Sequence, residues 1–351
     1  MTTPTPTISI AGRQIGQHCT PFVIAEIGVN HDGSPARAIE LLELAHRAGA
    51  SAAKLQVFRA DTLMHHTSVF AAYQQARVQD ADAEAMLRRY ELSDSALADL
   101  ARRARELSLP LIATPFSLQD VDRLRPLGLA AVKLASPDLV NTPLLCKAAS
   151  LGLPLILSTG AATESEIDTA AALVHDIHLP VVYLHCVSSY PTPEEHLNLS
   201  QIRRLGRLGT PIGYSDHSTA IDSGALAVAA GACVLERHLT YDKQALGPDH
   251  AASSSPAEFA EYVTLALRAW RLCGTMTARQ VLPIEADVRT VSRQSLVLST
   301  EMAAGSTVHH EHLTVQRPGL GIPASKWRQT VGRRITKSLP AGHMLQESDL
   351  A

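Results

Sequence analysis

The sequence predicts an α/β protein: a closed (β/α)8 barrel with a small β-rich domain attached after it. Three observations carry this. Between Phe22 and Leu272, eight short β-prone apolar runs alternate with longer segments of helical period. The ends of those runs carry polar and charged groups that a hydrocarbon core would not select. Beyond Leu272 the alternation stops, and short strand-like stretches broken by turn residues take over. Strand and helix in alternation imply parallel strands joined by right-handed crossovers, and eight such units in about 250 residues is the usual size of a closed barrel. A doubly wound open sheet is the competing arrangement.

The runs, in order, are FVIAEIG (22–28), AAKLQVF (52–58), PLIATPF (110–116), AVKLAS (131–136), PLILSTG (154–160), PVVYLHCV (180–187), PIGYSDH (211–217) and ACVLERHLT (232–240). After the first comes SPARAIELLELAHRAGA, where Ile39, Leu42, Leu44 and Ala45 fall near one helical face and Gly49 ends the helix. In SDSALADLARRARELSLP, Ser93 or Asp94 is the expected N-cap and Pro110 opens the next strand. The gap between Phe58 and Pro110 exceeds one loop and one helix. Its segment HHTSVFAAYQQARVQDADAEAMLRRYELS is expected to form an extended βα loop with its own helix over an active site.

In the tail, GTMTARQVLPIEADVRT is irregular. SRQSLVLSTEMAAGSTV reads as short strands around the turn residues Ala304 and Gly305, and EHLTVQRPGLGIPASKW follows. The expected division is a barrel over 1–275, a linker over 276–291 and a compact domain over 292–351. A domain of roughly 60 residues is marginal by itself and gains from packing on a partner.

The chain has 351 residues, 46% apolar and 19% charged, with a formal net charge of −3. This is the composition of a soluble globular protein. Lys and Arg are spread along the chain, which argues against a nucleic-acid-binding face. MTTPTPTISI has no basic segment followed by an apolar core, and no apolar stretch reaches membrane-spanning length, so the expected compartment is the cytoplasm. Five cysteines without a CxxC pair are expected to be buried free thiols, and Cys186 and Cys233 sit inside apolar runs.

In a (β/α)8 barrel the C-terminal strand ends open on one face, and reacting groups come from several of them at once. Here those ends carry Glu26; Lys54 and Gln56; Thr114; Lys133 and Ser136; Ser158 and Thr159; His185 and Ser188; Ser215, Asp216 and His217; and Glu236 and His238. Singly, each has an ordinary reading, such as a hydrogen-bonded structural histidine or a lysine snorkelling to water. Together they point to a site, because unpaired ionised groups in a barrel mouth are costly. In GYSDH (213–217), both Asp216 and His217 are expected to face that mouth.

The groups separate by chemistry. Lys54, Thr114, Lys133, Ser136 and Ser158 combine two positive charges with hydroxyl donors, a set suited to a phosphate or another polyanion. No GxxxxGK[ST] loop is present, which argues against a nucleoside triphosphate held in the P-loop manner. His217 and His238, on adjacent runs with carboxylates nearby, suit a divalent metal of the manganese, iron or zinc group in an open catalytic site. GPDH (247–250) adds Asp249, as a contact for a polyhydroxylated substrate or a proton-transfer group; its ordinary reading is a turn.

Taken in order, FVIAEIGVNHDGS, AAKLQVFRADTL, MLRRYELS, IATPFS, VKLASPDLVNTPLL, LILSTGAAT, LHCVSSYPTP, IGYSDHS, LERHLTYDKQALGPDHAAS and VQRPGLGI resemble the sialic acid (N-acetylneuraminate) synthases and their relatives that make legionaminic and pseudaminic acids. The resemblance runs from Phe22 to the C-terminus. It implies a TIM barrel followed by a SAF (antifreeze-like) domain. It also implies a domain-swapped homodimer, in which the small domain of one chain reaches over the barrel mouth of the other. The implied reaction is condensation of phosphoenolpyruvate with the open-chain form of an N-acetylated amino sugar, giving a nine-carbon 2-keto acid and phosphate. The implied cofactor is a divalent metal, Mn2+ first and Mg2+ or Co2+ as alternatives. N-acetylmannosamine is the leading acceptor; the 2,4-diacetamido sugars of legionaminic or pseudaminic acid synthesis compete. More remote alternatives are another phosphoenolpyruvate-condensing barrel, an aldolase, or a non-catalytic sugar-binding protein.

By the same resemblance, His217 and His238 hold the metal. Lys54, Thr114, Lys133, Ser136, Ser158, Ser188, Ser215 and Arg293 match the phosphoenolpyruvate pocket; Gln294 replaces the second basic residue usual beside Arg293. Glu26, Gln56, Phe116, Tyr190, Asp249 and Arg317 match positions near the amino sugar, with Arg317 acting across the dimer on the N-acetyl group. Glu26, Asp138 and Asp249 are the catalytic candidates, Asp138 being one methylene shorter than the glutamate of many relatives. The ordinary readings are a surface arginine for Arg317, packing for Phe116 and Tyr190, and structural hydrogen bonds for Glu26 and Asp138.

Overall fold

The structure is a computed structural model that describes residues 6–65, 83–274 and 278–351. The chain divides into two compact units, Met1–Thr275 and Met276–Ala351.

In the first unit, each predicted run holds one strand of a closed parallel barrel. The strands are β3 (Phe22–Glu26), β4 (Ala52–Val57), β5 (Leu111–Pro115), β6 (Ala131–Leu134), β7 (Leu155–Ser158), β8 (Val181–Cys186), β9 (Ile212–Asp216) and β10 (Val234–His238). β10 pairs with β3, so the sheet is closed rather than open. Side chains alternate across each strand. Val23, Ala25, Ala53, Leu55, Val132, Leu155, Leu157 and Leu235 face outward and pack with the helices. Phe22, Ile24, Ala52, Ile112, Ala131, Ile156, Val182 and Val234 meet inside the barrel. Two residues further along, the same inward stripe turns polar: Glu26, Lys54, Thr114, Lys133, Ser158 and Glu236. Six of the eight strands thus change from core to site along their own length.

A hairpin, β1 (Ile8–Ile10) and β2 (Arg13–Ile15), precedes the barrel. Its signal, ISI and RQI around Ala11-Gly12, lies outside the alternation that predicts the barrel. Both turn residues take positive φ, as a tight two-residue hairpin turn requires. Ile10 and Ile15 join the inner apolar layer and fill the end of the barrel opposite the polar stripe.

The helix Pro35–Arg47 starts at Ser34, whose hydroxyl accepts from the Arg37 N–H. It buries Ala38, Leu41, Leu42 and Ala45, while Ile39 and Leu44 are only partly covered. Gly49 follows in the left-handed region, φ +83°. Ser93 is the N-cap of helix Asp94–Glu106, accepting from the Ala96 N–H. In the long gap, helices Ala60–Leu63 and Ala83–Arg89 are present, and residues 66–82 lie outside the described residues.

The second unit contains helix Ala286–Ser292, all but the last residue of which falls in the stretch expected to be linker. Strands β11 (Ser295–Leu298) and β12 (Leu313–Gln316) pair antiparallel. The partner of β11 is therefore not the stretch just past Ala304-Gly305; there the chain makes single bridges instead, Met302 to Leu339 and Thr307 to Arg334. Leu296, Leu298, Val308, Ile322, Ile335 and Leu345 form a separate core.

Among the described residues, no helix is long and apolar enough to cross a membrane. All five cysteines are free; Cys186 and Cys233 are buried, whereas Cys146 and Cys273 are exposed.

Candidate active site

A cavity of about 420 Å3 opens at the C-terminal strand ends. Its wall gathers Lys54, Gln56, Thr114, Phe116, Lys133, Ser136, Ser158, Ser188, Tyr190, Ser215, His217, His238 and Asp249, all singled out from sequence. Glu26 is fully buried but off this wall. Asp138 stands in the turn Ser136–Val140 after β6, half-buried and also off the wall, and accepts from Asn141 Nδ2 at 3.0 Å. Arg293 and Arg317 are exposed residues of the second unit.

The floor is a buried charge cluster. Lys54 Nζ is ion-paired with Glu26 and lies 3.4 Å from both Glu236 Oε1 and Thr114 Oγ1. Lys133 Nζ lies 3.7 Å from the same Glu236 oxygen, which also accepts from Ser215 Oγ at 3.0 Å. Burial alone would lower the Lys54 pKa, but the charges of Glu236 and Glu26 reverse this and raise it. For Lys133, burial lowers the pKa, with Glu236 opposing. Burial would raise Glu236, yet Lys133 and Lys54 hold it down at about 2. Glu26 goes the other way, raised by burial against the pull of Lys54. Two carboxylates pushed apart in this way can divide acid and base roles.

Among the described residues, Ser158 Oγ and Glu236 Oε2 are buried without a hydrogen-bond partner. A buried polar atom left open beside a cavity marks a place for a ligand group. Gly160 shapes the same pocket. A Cβ there would strike Ser188 Oγ, and would stand 2.7 Å from Ser136 Oγ and 3.0 Å from Cys186 Sγ. Its absence leaves a cradle lined by hydroxyls.

The rings of His217 and His238 are 5.5 Å apart. His217 Nδ1 lies 2.9 Å from the Val187 carbonyl, to which it can only donate, so in the neutral ring Nε2 is left as an acceptor. Burial would lower the His217 pKa, but Cys186 and the Val187 carbonyl raise it. His238 Nδ1 lies 3.5 Å from Asp249 Oδ2. Burial, then the charges of His217 and Lys54, push the His238 pKa well down, and burial raises Asp249 to about 6. Among the described residues, no cluster of three or more His, Cys, Asp or Glu is gathered for a metal ion. Two imidazoles alone fit a divalent metal whose other positions come from water or substrate.

Three strand-end residues do not face the mouth: Thr159, next to the inward Ser158, donates its hydroxyl to the Leu184 carbonyl at 3.0 Å, and Asp216 and His185 are turned away as well. Asp216 is turned to the outside of the barrel and is held there by Arg237 Nη1 at 2.7 Å, because its neighbours Ser215 and His217 take the inward positions. His185 is also outward: its Nε2 lies 2.8 Å from the Leu197 carbonyl and its ring stacks on Tyr214.

Other contributors carry no separate signal in the sequence. Glu236 stands out only as one polar strand end among several, although it links both lysines. Val29, Phe58, Leu63, Met64, Met86, Leu87 and Tyr90 form an apolar wall beside Phe116. Most of them come from the long gap after β4, whose MLRRYELS stretch has no fixed spacing from a strand end.

A closed barrel whose mouth holds buried lysines, an ionised carboxylate and open hydroxyls belongs to the enzyme barrels that act on anionic substrates. More particularly, the chain belongs to the NeuB family, whose pattern matches residues 41–278, while the SAF domain pattern matches residues 293–351. It is similar to the N,N'-diacetyllegionaminic acid synthase of Legionella pneumophila, 36% identical over 94% of each chain. It is also similar to the human N-acetylneuraminate-9-phosphate synthase, 30% identical over 96% of this chain and 94% of the other. Among solved structures, the N-acetylneuraminic acid synthetase of Leptospira borgpetersenii in complex with citrate is 33% identical, with a TM-score of 0.73 over 81% of this chain and 95% of that one.

Proposed function

We propose that the protein is a nonulosonate synthase, which condenses phosphoenolpyruvate with an open-chain N-acetylated amino sugar to give a nine-carbon 2-keto acid and phosphate. The carrying observation is the pair of buried lysines sharing Glu236, beside the unpartnered Ser158 hydroxyl in a NeuB-family barrel mouth.

In this reading, Lys54 and Lys133 neutralise the phosphate and carboxylate of phosphoenolpyruvate. Thr114, Ser136, Ser158 and Ser188 donate hydroxyl hydrogen bonds to it, Ser136 and Ser188 from the cradle that Gly160 leaves open, and Ser215 borders the same pocket with its hydroxyl on Glu236. Gln56, Phe116 and Tyr190 border the sugar. A divalent metal on His217 and His238, Mn2+ first and Mg2+ or Co2+ as alternatives, would supply Lewis-acid polarisation of the sugar aldehyde. C3 of phosphoenolpyruvate bonds to the aldehyde carbon, and the aldehyde oxygen gains a proton. Glu26, raised by burial, and Asp249, raised to about 6, are suited to hold that proton. Water adds at C2 and gives one proton to a carboxylate, the C2–O bond to phosphate breaks, and the remaining C2 hydroxyl proton leaves with the phosphate to give the ketone. The resemblance assigns Asp138 to proton transfer, from the turn just off the wall.

The acceptor is N-acetylmannosamine or a 2,4-diacetamido-trideoxyhexose. The apolar wall of Phe58, Met86 and Tyr90 favours the second, whose extra acetamido methyl and deoxy carbon need no hydrogen bonds. The name of the 36% identical relative supports the same acceptor. The resemblance supports a cytoplasmic homodimer in which Arg293 and Arg317 complete the site of a partner chain.

The test is purified full-length protein with Mn2+, phosphoenolpyruvate and each acceptor in turn, read by phosphate release and product mass. Release of phosphate with a nine-carbon product supports the proposal. No release with N-acetylmannosamine or with the legionaminic and pseudaminic acid precursors overturns it.

A further inference from the structure

We infer that the buried Asp216–Arg237 ion pair sets the spacing and orientation of His217 and His238, which makes both of its members positioning residues for the divalent cation. This rests on the metal reading above.

The placement comes from register. Asp216 of β9 stands opposite Arg237 of β10, and each comes one residue before a histidine. Alternation therefore puts the ion pair on the outer side of the barrel and the histidines on the inner side. Asp216 accepts five hydrogen bonds. Those from the Ser218 N–H, Ser218 Oγ and Tyr214 OH fix one oxygen, and those from Ser223 Oγ and Arg237 Nη1 fix the other. Arg237 also donates to the Ala220 carbonyl at 2.8 Å, and through Nε to Ser254 Oγ at 2.6 Å. Its guanidinium lies over the Tyr262 ring.

The network thus holds both chain segments that leave the histidines. Ser218 and Ala220 follow His217 directly, and the Ser254 N–H donates to the His238 carbonyl. A buried ion pair is a poor source of stability, since an apolar pair of similar volume commonly does as well or better. Fixing two adjacent strand ends relative to each other needs directional contacts, which a carboxylate accepting at both oxygens and a guanidinium donating from Nη1 and Nε supply.

The test uses full-length metal-free protein. Its variants are the apolar double exchange Asp216→Leu/Arg237→Met and the conservative Arg237→Lys. Readouts are the thermal midpoint, Mn2+ affinity by electron paramagnetic resonance, and kcat and KM for phosphoenolpyruvate. The double variant is expected to keep a cooperative melt while its Mn2+ dissociation constant rises about tenfold or more, the range for losing support behind metal ligands. kcat should fall more than KM for phosphoenolpyruvate rises, because Lys54 and Lys133 stand on other strands. Wild-type Mn2+ affinity in the folded double variant overturns the inference and leaves the proposed function standing. If the double variant does not fold, Arg237→Lys decides: weakened Mn2+ binding supports the inference and unchanged binding overturns it. Absence of Mn2+ binding in the wild-type chain overturns the metal reading, and this inference with it.

Discussion

His217 Nδ1 lies 2.9 Å from the carbonyl oxygen of Val187, with Cys186 Sγ at 3.7 Å, and in the neutral imidazole the carbonyl selects the tautomer. The nitrogen left free is Nε2, on a residue that lines the cavity. Replacement His217→Ala is expected to lower turnover at least about 100-fold, or about 2.7 kcal/mol of barrier. Steady-state phosphate release checks this, with circular dichroism to show an intact fold. Near-normal turnover in a folded variant would remove the metal from the proposal.

Glu236 is the shared counter-charge of Lys54 and Lys133. Glu236→Gln would leave two buried ammonium groups with Glu26 as their remaining carboxylate partner. Breaking a buried charge cluster costs about 3–5 kcal/mol. Urea unfolding should show a loss of that size, and bound phosphate should restore part of it. An unchanged midpoint would mean that the cluster is already wet.

Gly160→Ala fills the hydroxyl cradle without touching a charge. The expected result is a raised KM for phosphoenolpyruvate, by about tenfold, with the KM for the sugar little changed. Equal rises for both substrates would place the phosphate elsewhere.

Met86→Gln puts a polar amide into the apolar wall, where Met86 is 1% exposed. The ratio of kcat/KM for a 2,4-diacetamido-trideoxyhexose to that for N-acetylmannosamine should fall by about tenfold. A ratio that does not move would take the wall out of acceptor choice.

In the second unit, Asp349 accepts from His343 Nε2 at 2.8 Å and from the Gln346 N–H at 2.9 Å. Burial would raise its pKa, but these bonds and Lys337 bring it below the usual carboxylate range. A carboxyl with a depressed folded pKa adds stability above its unfolded pKa, and loses it as pH falls through the folded value. Asp349→Asn should therefore lower stability near neutral pH and flatten its decline on the acid side. Trp327 fluorescence in a Trp270→Phe background reads this unit, and parallel curves for both proteins would contradict the assignment.

The barrel is legible because most of its strands change from apolar to polar at a spacing of two. Lys54, Lys133, Ser158 and His238 could be assigned to the mouth on that spacing alone. Asp216 was not, since SDH reads as one polar block, although the parity set by Ser215 and His217 assigns the aspartate to the outside. The apolar wall escaped because it depends on how a long insertion folds back, and no local period encodes that. Hairpin Ile8–Ile15 escaped for a different reason: two three-residue strands fall below the length at which alternation stands out.

The isoleucines of that hairpin have a kinetic consequence. With Ile10 and Ile15 stopping one end of the barrel, traffic in and out uses the mouth alone. Groups suited to an anion stand on the strands, and the apolar wall stands on the segments beyond them. The anion has to enter before the sugar closes the passage, and phosphate has to wait for the longer product to leave. Product inhibition should carry that signature, with phosphate competing against phosphoenolpyruvate and the keto acid competing against neither in a simple way.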